Sequence, residues 1–227
     1  MERLLLFDID GTLVAGGPAK DAFGLALERV YGTAGPIGEW EFSGKTDPQI
    51  ARELLREAGL RDRDIEAGFP RMWEVYLAEM ERRIHGEPTR LLPGVPELVD
   101  ALDDTRAAAL ALLTGNLAHG ARLKLEVVGL AERFAVGAYG SDHEVRNELP
   151  AIARGRARTH WGILFEPGQV VVVGDTPRDV ACGQYFGART VAVATGRFSR
   201  EELSRARPDV ILDDLSNTES ALLACLG

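Results

Sequence analysis

Cysteine is nearly absent from this chain: Cys182 and Cys225 are the only two in 227 residues. They show no metal-ligand spacing and no disulfide framework, which excludes zinc-ribbon and disulfide-stapled architectures. Each reads as a small buried hydrophobe, and scarce cysteine fits a reducing cytoplasm. Long apolar runs are missing too, since no segment approaches the ~20 apolar residues that span a bilayer. Leu4-Leu5-Leu6-Phe7 is too short for a signal-peptide core and ends in two carboxylates. The expectation is a soluble, cytoplasmic chain with no membrane partner. Positive charge is also in deficit, with 26 Lys+Arg against 35 Asp+Glu and a formal net charge of −9. A general nucleic-acid binder needs a basic footprint, so no nucleic-acid partner is expected. An anionic substrate stays open, because a metal ion and a few cations can reverse the field inside one cleft.

What is present is ordinary globular material, 45% apolar and 27% charged. The length suits one large domain, or a core with a smaller insert. Short apolar runs lie at Leu4–Phe7, Ala107–Leu113, Val170–Val173, Thr190–Val193 and Val210–Leu212. Continuous apolar character without alternation marks strands covered on both faces. Helical patterns at Pro93–Leu102, Leu117–Val128 and Pro177–Phe186 separate them. Alternating strand and helix predicts an α/β fold, a Rossmann-like parallel sheet flanked by helices. The interval from Gly16 to Arg90 differs, with helix-like stretches at Ala19–Tyr31, Asp47–Ala58 and Asp64–Ile84 and no strand run. It reads as a small α-helical cap inserted after the first strand. The predicted division is a catalytic core of residues 1–15 and 91–227, and a helical cap of residues 16–90.

Three clusters of polar residues fall at the ends of predicted strands, the edge where open parallel sheets bind ligands. Asp8-Ile9-Asp10-Gly11-Thr12 places two carboxylates where a strand ends and the chain turns. Such carboxylates repel unless a cation or proton is shared, and an all-oxygen set favours Mg²⁺. A capped surface turn fits the same residues. Thr114-Gly115-Asn116 offers a hydroxyl and backbone N–H groups suited to an anion, or else a plain helix N-cap. Asp175-Thr176-Pro177-Arg178-Asp179 sets one carboxylate at a strand tip and a second a helical turn further on. That pattern suits a metal site, and equally the acidic capping of a helix dipole.

Together these segments resemble the haloacid dehalogenase superfamily of aspartate-nucleophile hydrolases, and within it the phosphoglycolate-phosphatase group. Phe42-Ser43-Gly44-Lys45-Thr46-Asp47 is similar to that group's cap loop. The resemblance implies a Mg²⁺-dependent phosphomonoester hydrolase acting on a small phosphorylated metabolite. Asp8 attacks phosphorus to form an aspartyl-phosphate, and Asp10 serves as acid and then base. Asp8, Asp175 and the main-chain carbonyl of Asp10 hold the metal, with Asp179 orienting them. Thr114, Gly115 and Asn116 take phosphoryl oxygens, and Lys45 takes a second anionic group. The family's usual Lys-Pro pair is missing, because no lysine follows Lys124. Arg146 is the replacement expected by elimination, a charge that persists but is wider than lysine.

Three other readings stand beside this one. A haloacid dehalogenase needs no leaving-group acid, so Asp10 argues against it. A sugar-phosphate mutase shares the nucleophile and differs in which acceptor takes the phosphoryl group. A non-catalytic binding or regulatory protein on the same scaffold is the reading of another class. The chain is expected to act as a monomer or homodimer.

Overall fold

Leu4, Leu5, Leu6 and Phe7 are all fully buried, and they split between two apolar clusters. Leu5 and Phe7 face one layer of helices, Leu4 and Leu6 the other. Only a strand at the centre of a three-layer sandwich has this pattern, since successive side chains point to opposite faces. Each such side chain contributes roughly 1.5–3 kcal/mol of burial. The computed structural model describes residues 1–227.

The chain runs from β1 (Arg3–Phe7) through β2 (Val14–Gly16), α1 (Ala19–Tyr31), α2 (Asp47–Glu57), α3 (Asp62–Arg83) and β3 (Thr89–Leu91). A regular alternation follows: α4 (Val95–Thr105), β4 (Ala108–Leu113), α5 (Ala118–Glu126), β5 (Val136–Ala138), α6 (Leu149–Trp161) and β6 (Val170–Gly174). It closes with α7 (Pro177–Phe186), β7 (Arg189–Val193), α8 (Arg200–Arg205), β8 (Val210–Leu212) and α9 (Thr218–Leu226). Six strands form one sheet in the order β5-β4-β1-β6-β7-β8, all parallel. This is the Rossmann-like α/β architecture expected from the alternation. Leucines and alanines of α4 and α9 cover one face, while α6 and Cys182 of α7 cover the other.

The chain leaves β1 toward β4 and β5, then returns to build β6, β7 and β8 on the opposite side. The carboxyl ends of β1, β4 and β6 therefore meet at a topological switch point, where open α/β sheets bind ligands. Register makes them level, since Phe7 pairs with Leu112 on one side and Val173 on the other.

Helices α1, α2 and α3 form a separate body above this edge, with 16 buried apolar residues of which Leu117, just before α5, alone comes from outside residues 16–90. Phe23 knits it, meeting Tyr76 edge-on at 5.2 Å between ring centroids and Phe42 at 5.9 Å. The strand-free reading of the interval from Gly16 to Arg90 is corrected at both ends. Val14–Gly16 pairs antiparallel with Thr89–Leu91, forming a two-stranded ribbon through which the chain enters and leaves the helical body. These three-residue segments are too short and mixed to announce a strand. For the same reason β5, a Val-Gly-Ala run, escapes a reading by apolar runs.

Candidate active site

Asp8 extends the β1 ladder by one residue, its N–H donating to Val173 O at 2.9 Å. That bond fixes its carboxylate at the strand tip, where it is buried. The chain then turns at Gly11, whose φ of +83° favours glycine. Gly11 is needed twice over, because a Cβ there would run into the Asp175 carboxylate. A Cβ on Gly196 would strike the same carboxylate from another loop. Asp175 thus sits in a cradle of two glycines, with Thr12 Oγ1 donating to its Oδ1 at 3.3 Å.

Asp8, Asp175 and Asp179 bring carboxylate oxygens within 4.8 Å of one another, all buried. Burial pushes the Asp175 carboxyl up to about 9, and the nearby Asp179 and Asp8 charges add to the rise. Burial likewise lifts Asp8 to about 7, against the opposing pull of Arg146. Two of these buried acids, Asp8 and Asp179, share one guanidinium, Asp175 has no cation beside it, and the donor set is entirely oxygen. A hard divalent cation fits it. Asp179 is committed elsewhere. Its Oδ2 accepts from Thr176 N at 3.0 Å and Thr176 Oγ1 at 2.7 Å, a capping box at the start of α7. Its Oδ1 takes Arg146 Nη2 at 2.5 Å. The ligand oxygens left for a cation are those of Asp8 and Asp175. The Asp10 side chain lies outside the cluster, which leaves only its main-chain carbonyl for that role.

Arg146, in a 3₁₀ turn before α6, is buried beside Asp8 with Nη2 at 3.2 Å from Asp8 Oδ1. The same nitrogen reaches Leu113 O at 3.3 Å. Burial works against its charge, but Asp179 and Asp8 more than compensate and hold it protonated. The neighbouring arginines lie elsewhere. Arg154 bonds Phe165 O, and Arg156 pairs with Asp142.

Asp10 is the open member of the site, with 48% of its side chain accessible inside the cleft. Lys124 Nζ holds both its oxygens, at 2.8 and 2.7 Å, and Asn116 Nδ2 donates to Oδ2 at 2.7 Å. Burial would raise the Asp10 carboxyl, but Lys124 and Asn116 outweigh it and keep it below the ordinary carboxylate value. Thr114 is fully buried, and its Oγ1 accepts from Asn116 N at 3.3 Å and Nδ2 at 2.7 Å. The alternative reading of this segment, a helix N-cap at Thr114 or Asn116, does not hold, because α5 starts at Ala118 with Leu117 before it. Leu117 N donates instead to Asp47 Oδ2 of α2, at 2.8 Å.

These groups line a cavity of about 490 Å³ between the sheet edge and the helical body. Its roof includes the loop before α2, docked on the core through Asp47 N to Gly115 O at 2.8 Å and Arg178 Nη1 to Ser43 O at 3.0 Å. Gly115 has no room for a Cβ against Lys45 O, so the two backbones touch. Lys45 lines the cavity, but its ammonium pairs with Glu53 and stands 5.3 Å from the Trp40 ring centroid. Asn116 also lines the cavity, although its amide is spent on Asp10, Thr114 and Lys124.

Lys124 and Asp47 were missed by the sequence reading. Both carry a signal in retrospect, since each is a charge standing in an apolar stripe. Lys124 shares the buried face of α5 with Ala121 and Leu125, and Asp47 that of α2 with Ile50 and Leu54.

Comparison with known proteins agrees with this geometry. The HAD-hydrolase-like family model matches residues 150–218. Phosphoglycolate phosphatase of Synechococcus elongatus is 29% identical over 222 residues, 97% of each chain. Pyrophosphatase PpaX of Bacillus pumilus is 27% identical, covering 98% of this chain and 95% of the other. The crystal structure of a hydrolase from Pseudomonas syringae superposes with a TM-score of 0.71 at 20% identity, over the whole of both chains. These likenesses, over nearly the whole chain, are to hydrolases of the haloacid dehalogenase type, and among them to phosphoglycolate phosphatases. No helix is long and apolar enough to cross a membrane.

Proposed function

We propose that this phosphatase hydrolyses a small phosphorylated metabolite with Mg²⁺, through an aspartyl-phosphate on Asp8. The observation that carries the reading is convergence. Asp10 neighbours Asp8 in the chain, and three distant segments bring Thr114, Arg146 and Asp175 to the same cavity.

Asp8 is the nucleophile, presented at the tip of β1. Its carboxylate oxygen bonds to phosphorus as the ester oxygen leaves, splitting one hard step into two. Asp10, an ionised carboxylate in the resting site, takes up a proton from solvent as the anionic substrate binds, passes it to the leaving oxygen, then removes one from the water that attacks phosphorus and frees Asp8. Thr114 accepts two hydrogen bonds and donates none within the chain, which leaves its O–H for a phosphoryl oxygen. The Gly115 N–H is likewise without a partner. Arg146 supplies the fixed charge beside Asp8 where the family usually has lysine. Asp8, Asp175 and the Asp10 carbonyl would hold the Mg²⁺, oriented by Asp179. The ion supplies charge compensation between an anionic nucleophile and an anionic phosphate.

Residues 16–90 form the cap and the remainder the core. Gly16 and Gly17, with φ of +85° and +88°, and Pro93-Gly94 are the hinges at the ends of the β2–β3 ribbon. Asn116 acts through Thr114 and Asp10. Lys45, already balanced by Glu53, meets a second anionic group of the substrate by exchanging partners. A cytoplasmic setting suits the two free, buried cysteines.

The test is hydrolysis of p-nitrophenyl phosphate by purified protein with and without Mg²⁺, alongside a panel of phosphate esters. Turnover that requires Mg²⁺ and selects one small ester is the expected result. Turnover unaffected by chelation contradicts the metal assignment, and no turnover of any ester contradicts the hydrolase reading.

A further inference from the structure

Lys124 is an unusual place to find a lysine. It is 3% exposed, on the apolar face of α5, beneath a carboxylate that itself stands open to the cleft. An ammonium has three donors, and here each has an acceptor: Asp10 Oδ1 at 2.8 Å, Asp10 Oδ2 at 2.7 Å and Asn116 Oδ1 at 2.7 Å. A buried charge is tolerated only when paired and hydrogen-bonded this fully. The asymmetry is informative. A purely structural ion pair has no need to leave its acid half-accessible inside a cavity and its base sealed below.

The third bond does further work. Lys124 can only donate, so the side of Asn116 facing it must be the carbonyl oxygen. That settles the amide orientation and turns Nδ2 toward Asp10 Oδ2 and Thr114 Oγ1, both at 2.7 Å. One ammonium thereby orders two side chains of the site at once, Asp10 directly and Thr114 through Asn116.

We propose that Lys124 is the positioning residue for the proton transfers at Asp10, holding that carboxylate where it can face the leaving oxygen. The inference rests on the reading of Asp10 as acid and base. Lys124 keeps one Asp10 oxygen while the other turns to the substrate, and it touches no reacting atom. Its loss leaves the carboxylate free to rotate, so the cost falls on substrates that need a proton delivered. An alkyl phosphate needs one, because an alkoxide is a poor leaving group. p-Nitrophenolate leaves unaided.

The test compares kcat/KM for an alkyl phosphate substrate with that for p-nitrophenyl phosphate. This ratio covers only the steps through departure of the leaving group, so slow release of phosphate from Asp8 does not enter it. Lys124→Met removes the charge and keeps the shape. Lys124→Cys, before and after alkylation with bromoethylamine, removes and restores an ammonium at the same place. It carries the comparison should the methionine variant fail to fold; because position 124 is as buried as the native cysteines, it is alkylated unfolded and then refolded, in a Cys182→Ala, Cys225→Ala background. Asp10→Asn is run in parallel. The alkyl-to-aryl ratio is expected to fall about tenfold or more in Lys124→Met, to fall in unalkylated Lys124→Cys and to recover on alkylation. In the Asp10→Asn background, Lys124→Met should lower it no further. A ratio that falls in Asp10→Asn but stays at the wild-type value in both Lys124 variants overturns the inference alone. A ratio unchanged in Asp10→Asn overturns the acid role of Asp10, and the inference with it.

Discussion

Arg146 meets three acceptors with one nitrogen, Nη2, and leaves Nε without a partner. The forked geometry that distinguishes arginine from lysine is therefore unused toward Asp8 and Asp179. Point charge and reach are what matter here. Arg146→Lys should keep kcat/KM on p-nitrophenyl phosphate within about tenfold of wild type, while Arg146→Met loses more than about a hundredfold. Equal losses in the two variants would show that the planar fork is required after all. At this scale the sequence was informative where chemistry clusters along the chain. Asp8 with Asp10, and Asp175 with Asp179, announce themselves by spacing. Arg146 emerged only because nothing else was left to fill its place. Lys124 and Asp47 stayed hidden, because their partners lie 114 and 70 positions away in the chain.

At the scale of elements, helices α2 and α5 are joined by one carboxylate. Asp47 opens α2, and its Oδ2 accepts the Leu117 N–H at the unfinished start of α5, so a group on the cap body completes a helix of the core. Burial pushes the Asp47 carboxyl up to about 6, against smaller downward pulls from Lys124 and the Leu117 N–H. The ordinary value for an aspartate is 3.8, so folding takes up a proton between about pH 4 and 6. Asp47 therefore favours the folded state most below pH 4, and this contribution is lost as pH rises through 6. Asp47→Asn still offers Leu117 an acceptor and has no such dependence. Urea midpoints should show wild type losing on the order of 1–3 kcal/mol relative to Asp47→Asn between pH 4 and 7. A constant difference across that range would contradict the assignment. The element pattern itself was largely legible. β1, β4, β6, β7 and β8 are continuous apolar runs, which only strands covered on both faces require. β2, β3 and β5 are three residues each and owe their pairing to neighbours the chain cannot advertise locally. The basic stretch Leu149–Trp161 forms α6, whose buried residues are Leu149, Pro150, Ala153 and Ala157, too small a signal for an apolar stripe.

Across the whole molecule, a net charge of −9 coexists with a cleft that collects Lys124, Arg146 and Lys45 around the carboxylates of Asp8, Asp10, Asp47 and Asp175. Each of those cations is already balanced, Lys124 by Asp10, Arg146 by Asp8 and Asp179, and Lys45 by Glu53. The resting site thus holds these three cations in ion pairs and leaves Asp175 without a cation. A phosphate group entering it competes for cations the protein has kept occupied. The sheet presents Asp8, the proposed nucleophile, at its switch point, and the helical body forms the roof. The central claim is that a covalent bond forms between Asp8 and phosphorus. It is tested most directly by mixing the enzyme, Mg²⁺ and a labelled phosphate ester, quenching in acid within one turnover, and sequencing the peptide Leu4–Lys20 by mass spectrometry. The account predicts the label on Asp8, absent from Asp8→Asn. Label on Asp10, or hydrolysis that proceeds in Asp8→Asn at more than a few per cent of the wild-type rate, would contradict it.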